Sequence, residues 1–136
     1  KKSDTLKVLD EGESLYKTGE FMGAKLMAFF DSDLQVTDIP SSVWILTNNI
    51  DPRRDCRIVQ DGAHSCLLVD GTMKISDSDQ FKRDWPNVVV SNSETINRID
   101  KIWDKLGLGD FIKSPSVYYK SLVPVEGAVL KHAIVK

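Results

Sequence analysis

The sequence predicts an α/β layered fold, a small mixed β-sheet flanked by helices. Three observations predict it. The chain has 136 residues, of which 41% are hydrophobic and 28% charged; this is the size and make-up of one globular domain with a real core. Short apolar or β-branched runs alternate with segments of helical periodicity, the pattern of layered α/β folds. Two cysteines, Cys56 and Cys66, are too few for a disulfide framework, so the core must be held by packing.

The elements follow in order. Residues 3–18 read as an exposed helix with Leu6, Val8, Leu9 and Leu15 near helical spacing and Gly12 weakening its middle. Ala24-Lys25-Leu26-Met27-Ala28-Phe29-Phe30 is short and apolar, which favours a buried strand. Asp38 or Ser41 caps a helix with Pro40 in its first turn, and Val43-Trp44-Ile45-Leu46 makes that helix well buried. Arg57–Gln60 and Cys66–Val69 are short strands, followed by the turn signals Asp61-Gly62 and Asp70-Gly71. Residues 72–83 are polar and read as an excursion or lid loop, and Asn87–Val90 as a further strand. The clearest element is a helix over 93–106. Ser91 and Glu94 have capping-box spacing, with Ser93 as a rival cap; Ile96, Ile99, Trp103 and Leu106 form its stripe and Gly107 its stop. Tyr118, Tyr119 and Leu122 form an amphipathic tail that must dock on this domain or on a partner.

Charge narrows the function classes. Eighteen Lys and Arg stand against 20 Asp and Glu, for a net charge of −2. A nucleic-acid binder carries a basic excess, so no such partner is expected. No apolar run reaches the length of a membrane span, and the polar start leads into no signal-peptide core. The expectation is a cytoplasmic protein. The chain begins without Met and stops in Ala133-Ile134-Val135-Lys136, which suggests part of a longer polypeptide.

Several groups could carry chemistry. Asp31 and Asp33, after the first strand, could hold a divalent metal, or one of the two could simply bond backbone amides of the turn. Asp51-Pro52-Arg53-Arg54-Asp55 could clamp an anion, or form an internal ion-pair network in which each Arg has an acid at hand. Cys56, His64 and Cys66 lack the spacing of a standard metal set. Lys25 could reach an anion or snorkel to water. Trp44 and Trp103 lie on apolar helix faces and read as core; Trp85, beside Pro86, could cover a sheet edge or join an interface. There is no Gly-rich phosphate loop and no nucleophile elbow.

Taken together, these segments resemble the C-terminal domain of the UbiD family of decarboxylases. In that family an apolar strand ends in an acidic cluster of the type Asp-Glu-Asp-Ile-Asp-Val; Leu26–Phe30 followed by Asp31-Ser32-Asp33-Leu34-Gln35-Val36 stands in its place. A Trp-containing helix and an Asp-Pro-x-Arg-Asp turn follow, matched by Val43-Trp44-Ile45-Leu46 and Asp51-Pro52-Arg53-Arg54-Asp55. Leu68-Val69-Asp70-Gly71-Thr72-Met73-Lys74 matches loosely the family's Gly-x-Asp-Ala-Thr-x-Lys, and Ile99–Gly107 fits the closing helix. The match covers about residues 24–107. Gln35 replaces the last acid of the cluster, and Gly71 the usual Ala. The tail from Gly109 to Tyr119 is similar to longer bacterial members of quinone synthesis, including menaquinone biosynthesis decarboxylases.

The resemblance implies a three-part organisation: 1–23 as a lead-in helix, 24–109 as the UbiD C-terminal-like domain and 110–136 as a tail. It implies a carboxy-lyase acting on an aromatic or unsaturated acid, with prenylated FMN, a divalent metal and a monovalent cation. In the family the Glu-Arg-Glu catalytic group and most cofactor ligands belong to a preceding split-barrel domain. No segment here matches that group, so this chain alone is expected to be inactive: a packing, oligomerising and cleft-closing domain, with no catalytic residue or metal ligand of its own. The split barrel and further copies of the chain are its expected partners. Lys25 is the expected contact to the flavin phosphate, and the loop from Asp61 to Cys66 a second cleft contact. The alternative is a free-standing α/β interaction or regulatory module with a divalent metal at Asp31 and Asp33.

Overall fold

The computed structural model describes residues 7–75, 79–123, 127 and 129–130. They fall into two compact units, 1–83 and 84–136.

The first unit is built on a mixed three-stranded sheet, as expected. Its order is β1 (Leu26–Phe29), β3 (His64–Asp70), β2 (Cys56–Asp61), with β1 parallel and β2 antiparallel to β3. Gly62 takes a positive φ of 56° in the tight turn that joins β2 to β3, a conformation glycine adopts without penalty. The described helices of this unit include α1 (Val8–Lys17), α2 (Ile39–Asn49) and α3 (Pro52–Asp55).

Helix α1 is part of the core. Its buried stripe is Val8, Gly12 and Tyr16, four residues apart, rather than one that includes Leu15, which is exposed; Leu6 lies outside the described residues. Tyr16 packs with Val59, Cys66 and Leu68, and with Leu9, Ala24, Met27 and Phe29 around them. A fully buried Leu such as Leu68 contributes about 1.5–3 kcal/mol. Gly12, which weakens the helix by its propensity, is what lets α1 approach: a methyl group there would lie 2.7 Å from the Phe29 ring.

Helix α2 starts as its sequence directs. Asp38 accepts from the Ser41 amide and hydroxyl, and Pro40 sits in the first turn. Its middle is less buried than its composition suggests: Val43 is exposed and Trp44, Ile45 and Leu46 are half-buried, while the small Ser41 and Ser42 are buried. An all-apolar run on a short surface helix cannot hide every side from water.

The segment after β3 is no polar excursion. Thr72, Lys74, Ile75 and Phe81 are buried, and Gly71 donates to the Phe29 carbonyl at 2.9 Å, extending the parallel ladder where a turn was expected. Residues 76–78 lie outside the described set. Phe81 is flanked by two guanidinium groups, Arg54 at 5.4 Å and Arg83 at 5.2 Å.

The second unit pairs β4 (Trp85–Pro86) with β5 (Val129–Leu130). The strand expected at 87–90 is irregular chain; the pairing falls two residues earlier, and Trp85 is buried. Helix α4 (Ser93–Ile102) is capped by Asn92, which accepts from the Thr95 amide, in place of Ser91 or Ser93. It tightens into a 3-10 turn at Trp103–Lys105 and stops at Gly107, φ 64°. Ile96 is buried and Leu106 exposed. Trp103 donates to the carbonyls of Gly109 and Asp110 and meets Phe111 edge-on. Helix α5 (Ser116–Tyr119) is tied back within its own unit when the Ser116 hydroxyl accepts from the Ser91 amide and Lys120 donates to Ser93, while Tyr118 stays exposed.

Candidate functional site

The C-terminal ends of the parallel strands β1 and β3 lie at one edge of the sheet, where α/β folds gather their functional loops. Here the segments after β1, in α3 and after β3 converge. Asp31 follows β1, Asp70 ends β3, and Asp55 ends α3. The loop 71–74 is pinned from three sides: Gly71 to Phe29, the Gly71 carbonyl to Asn49 Nδ2 at 2.9 Å, and the Met73 amide to Asp31 Oδ2 at 2.8 Å.

At the centre is Lys74, whose ammonium has no exposure at all. It donates to the carbonyls of Asp70 (2.8 Å) and Thr72 (2.7 Å) and lies 3.2 Å from Asp70 Oδ1 and 3.7 Å from Asp55 Oδ1. Asp70 Oδ1 also accepts from the Thr72 amide and hydroxyl. Asp55 is gripped by Arg54, Nε at 2.7 Å and the terminal nitrogen at 2.6 Å, and accepts from the Asp51 amide at 2.7 Å. Two carboxylates thus balance one ammonium and one guanidinium, which is how buried charge is tolerated. Asp55 raises the pKa of Arg54 further above its ordinary value. Beside the cluster, burial first and then the charges of Asp55 and Asp51 push the Cys56 thiol up. The cluster ties the 51–55 and 70–74 segments together, with Lys74 buried and Arg54 reaching it from the surface.

The sequence candidates are distributed by this geometry. Arg54, itself exposed, pairs with the buried Asp55, and Arg53 is exposed. Asp31 does not bond an amide of its own turn: its carboxylate accepts from the Met73 amide, 42 residues along the chain, and Asp33 is exposed. Among the described residues no group of three or more His, Cys, Asp or Glu converges to hold a metal.

Lys25 is exposed at the other edge of the sheet, where its carbonyl accepts from Leu67 at 3.0 Å. The β2–β3 turn and His64 lie at that same edge, because β1 starts level with Leu67. The loop expected over 61–66 is mostly strand, since β2 runs to Asp61 and β3 starts at His64; only the turn at 62–63 and the strand ends lie at the edge that carries Lys25. In the second unit a groove of about 260 Å³ is lined by Ile96, Ile99, Trp103, Ile112 and Pro115, with Asp100 at its side.

Sequence reasoning missed Lys74 as a keystone, because a lysine in a polar stretch reads as solvated. The available signal was the spacing Asp70-x-Thr72-x-Lys74 directly after an apolar strand.

No family model matches the chain. A protein of Aquifex aeolicus (strain VF5), described as uncharacterized, is 32% identical over 96 residues, which cover 62% of this chain and 20% of that protein. An uncharacterized protein of Archaeoglobus fulgidus is 29% identical over 106 residues, 68% of this chain and 22% of its own length. The chain spans about a fifth of the length of these curated relatives.

Proposed function

We propose that the chain is the C-terminal domain of a UbiD-like decarboxylase that acts on an aromatic or unsaturated carboxylic acid, in quinone synthesis, with prenylated FMN as cofactor. The observation that carries this reading is that Asp55 and Asp70 flank one buried ammonium, that of Lys74, with Arg54 on Asp55 and Asp31 on the neighbouring Met73 amide. Three of the segments similar to that family, up to 43 residues apart in sequence between Asp31 and Lys74, pack in the first unit, while the segment 99–107 belongs to the second. The relatives' length agrees, since a match to a fifth of a protein is what one domain of a larger enzyme gives.

The described residues fit the cofactor only as a contact. Lys25 offers one exposed ammonium, suited as a point charge to a phosphate oxygen, and one cation does not make a flavin site. When bound, prenylated FMN supplies the electron sink for carbon–carbon cleavage, while a protein supplies binding and orientation. The flavin, the metals and the proton-transfer groups are therefore assigned to the preceding split barrel, and cleft closure and packing to this chain, within a cytoplasmic homo-oligomer.

The test is co-expression of the parent chain with a flavin prenyltransferase, followed by absorbance and mass spectrometry of the purified protein. The expected result is stoichiometric prenylated flavin on the parent and none on residues 1–136, with flavin retention lowered by Lys25→Ala. A parent that takes up no flavin would sink the decarboxylase reading. Stoichiometric flavin on residues 1–136 alone would overturn the division of labour.

A further inference from the structure

One face of the sheet in the first unit is covered by α1; the other carries an apolar row that no described element of that unit covers. Leu26, Leu67 and Ile58 stand directly opposite one another on β1, β3 and β2. Residues paired across strands present their side chains on the same face. The three are 56%, 37% and 72% exposed. The row continues into Ala28, Val69 and Cys56, the next pair positions on that face, where Val69 is buried and Cys56 half-buried. The uncovered part lies toward the edge that carries Lys25 and the β2–β3 turn.

We propose that this row seats the tethered domain that precedes the chain in its parent. The proposal rests on the decarboxylase reading for that domain's identity as a split barrel. Two observations select this occupant over a second copy of the chain. The exposed area of the three side chains comes to about 300 Å², well short of the roughly 800 Å² per partner that a free-standing dimer buries. A tethered domain needs less area, because the linker replaces affinity by effective concentration. The relatives also carry about four-fifths of their length outside the region they share with this chain. A domain seated on Leu26 is adjacent to Lys25 in sequence and space, the position a contact to a cofactor in that domain requires. The occupant is accordingly a largely apolar face of that barrel, with an anion at its rim.

Hydroxyl-radical footprinting read by mass spectrometry tests this on the parent chain and on residues 1–136. Leu15 on α1, 36% exposed, serves as the reference away from the row. The expected result is that oxidation of Leu26, Ile58 and Leu67 falls several-fold in the parent at every protein concentration, while Leu15 is unchanged. Equal oxidation in the two proteins overturns the proposal. So does protection that grows with the concentration of residues 1–136, which would assign the row to a second copy. If residues 1–136 do not stay folded alone, Ile58→Asp in the parent decides: a more extended particle by small-angle scattering supports docking, and an unchanged one refutes it. Flavin content measured on the same parent sample separates the two readings. Protection without flavin leaves the docked domain standing and removes only its identity as a split barrel.

Discussion

Replacing Lys74 by Met keeps the length of the side chain and removes its charge and all its donors. Two backbone carbonyls, those of Asp70 and Thr72, lose partners now at 2.8 and 2.7 Å in a site with no solvent access. Leaving each buried acceptor unsatisfied costs about 1–3 kcal/mol. The carboxylates lose less. Asp55 keeps Arg54 and the Asp51 amide, and Asp70 keeps the Thr72 amide and hydroxyl. The carbonyls therefore carry most of the loss, and the total falls at about 3–5 kcal/mol, the range seen when one partner of a buried ion pair is removed. Against the roughly 5–15 kcal/mol of a whole domain this is severe. Urea unfolding is the assay, with hydrogen exchange of the β3 amides as a probe of the first unit alone. With a denaturant slope of about 2 kcal/mol/M, the midpoint falls by about 2 M. A shift below about 0.5 M would refute the reasoning, since it would mean that the carbonyls find water or that Lys74 is not buried in solution. Lys25→Met, at an exposed position, is the control and changes stability by less than about 0.5 kcal/mol.

Other expectations are open to the same instruments. Gly12→Ala, which improves helix propensity by about 1 kcal/mol, nonetheless lowers stability, because the new methyl meets the Phe29 ring at 2.7 Å; a rise in melting temperature would contradict the packing. Gly71→Ala restores the residue usual in the resembled family and costs about 1–3 kcal/mol here. Its methyl would sit 2.8 Å from Leu46 Cδ1 and 3.1 Å from the Phe29 carbonyl; trimming Leu46 to Ala in the same chain should recover only the Leu46 part in a double-mutant cycle. The Cys56 thiol, held above its ordinary 9.0 by burial and by Asp55 and Asp51, should be alkylated by iodoacetamide more slowly in the native state than in urea at pH 8.5. Since its folded pKa is raised, the stability it contributes is full below the unfolded value and is lost as pH rises through the folded one. Glu13 runs the other way: its hydrogen bonds to Lys17 and Arg57 lower its pKa below 4.5. Its contribution is present above the unfolded value and is lost as pH falls through the folded one, so Glu13→Gln should flatten that part of the acid limb of a stability–pH curve.

The sequence by itself determined the elements whose signals are local. A Pro at the first turn after Asp38 starts α2, a Gly at positive φ turns β2 into β3, and short β-branched runs bounded by turn residues make β2 and β3. Such signals act through backbone sterics and nearest neighbours, so they survive without knowledge of the fold. Even here competition between neighbours was illegible: Asn92, flanked by two serines, won the cap of α4. The ion-pair role of Arg54 and Asp55 was also legible, since the two are adjacent in the chain.

Tertiary structure alone decided which polar residues were to be buried. Lys74 and Thr72 lie in a stretch that reads as solvated. They are inside because the end of β1, the residue Asp31 after it, α2 and α3 supply a carbonyl, carboxylates and an amide side chain to the 71–74 segment from 19 to 42 residues away, through Phe29, Asp31, Asn49 and Asp55. The converse holds for Leu26, Leu67 and Ile58, which read as core and stand in the open. Hydrophobicity sets the free-energy gain of burial, but only the arrangement of layers says which apolar face finds a cover. Gly12 joins both cases: its cost is written in the helix propensity scale, and its use becomes visible only where α1 meets Phe29.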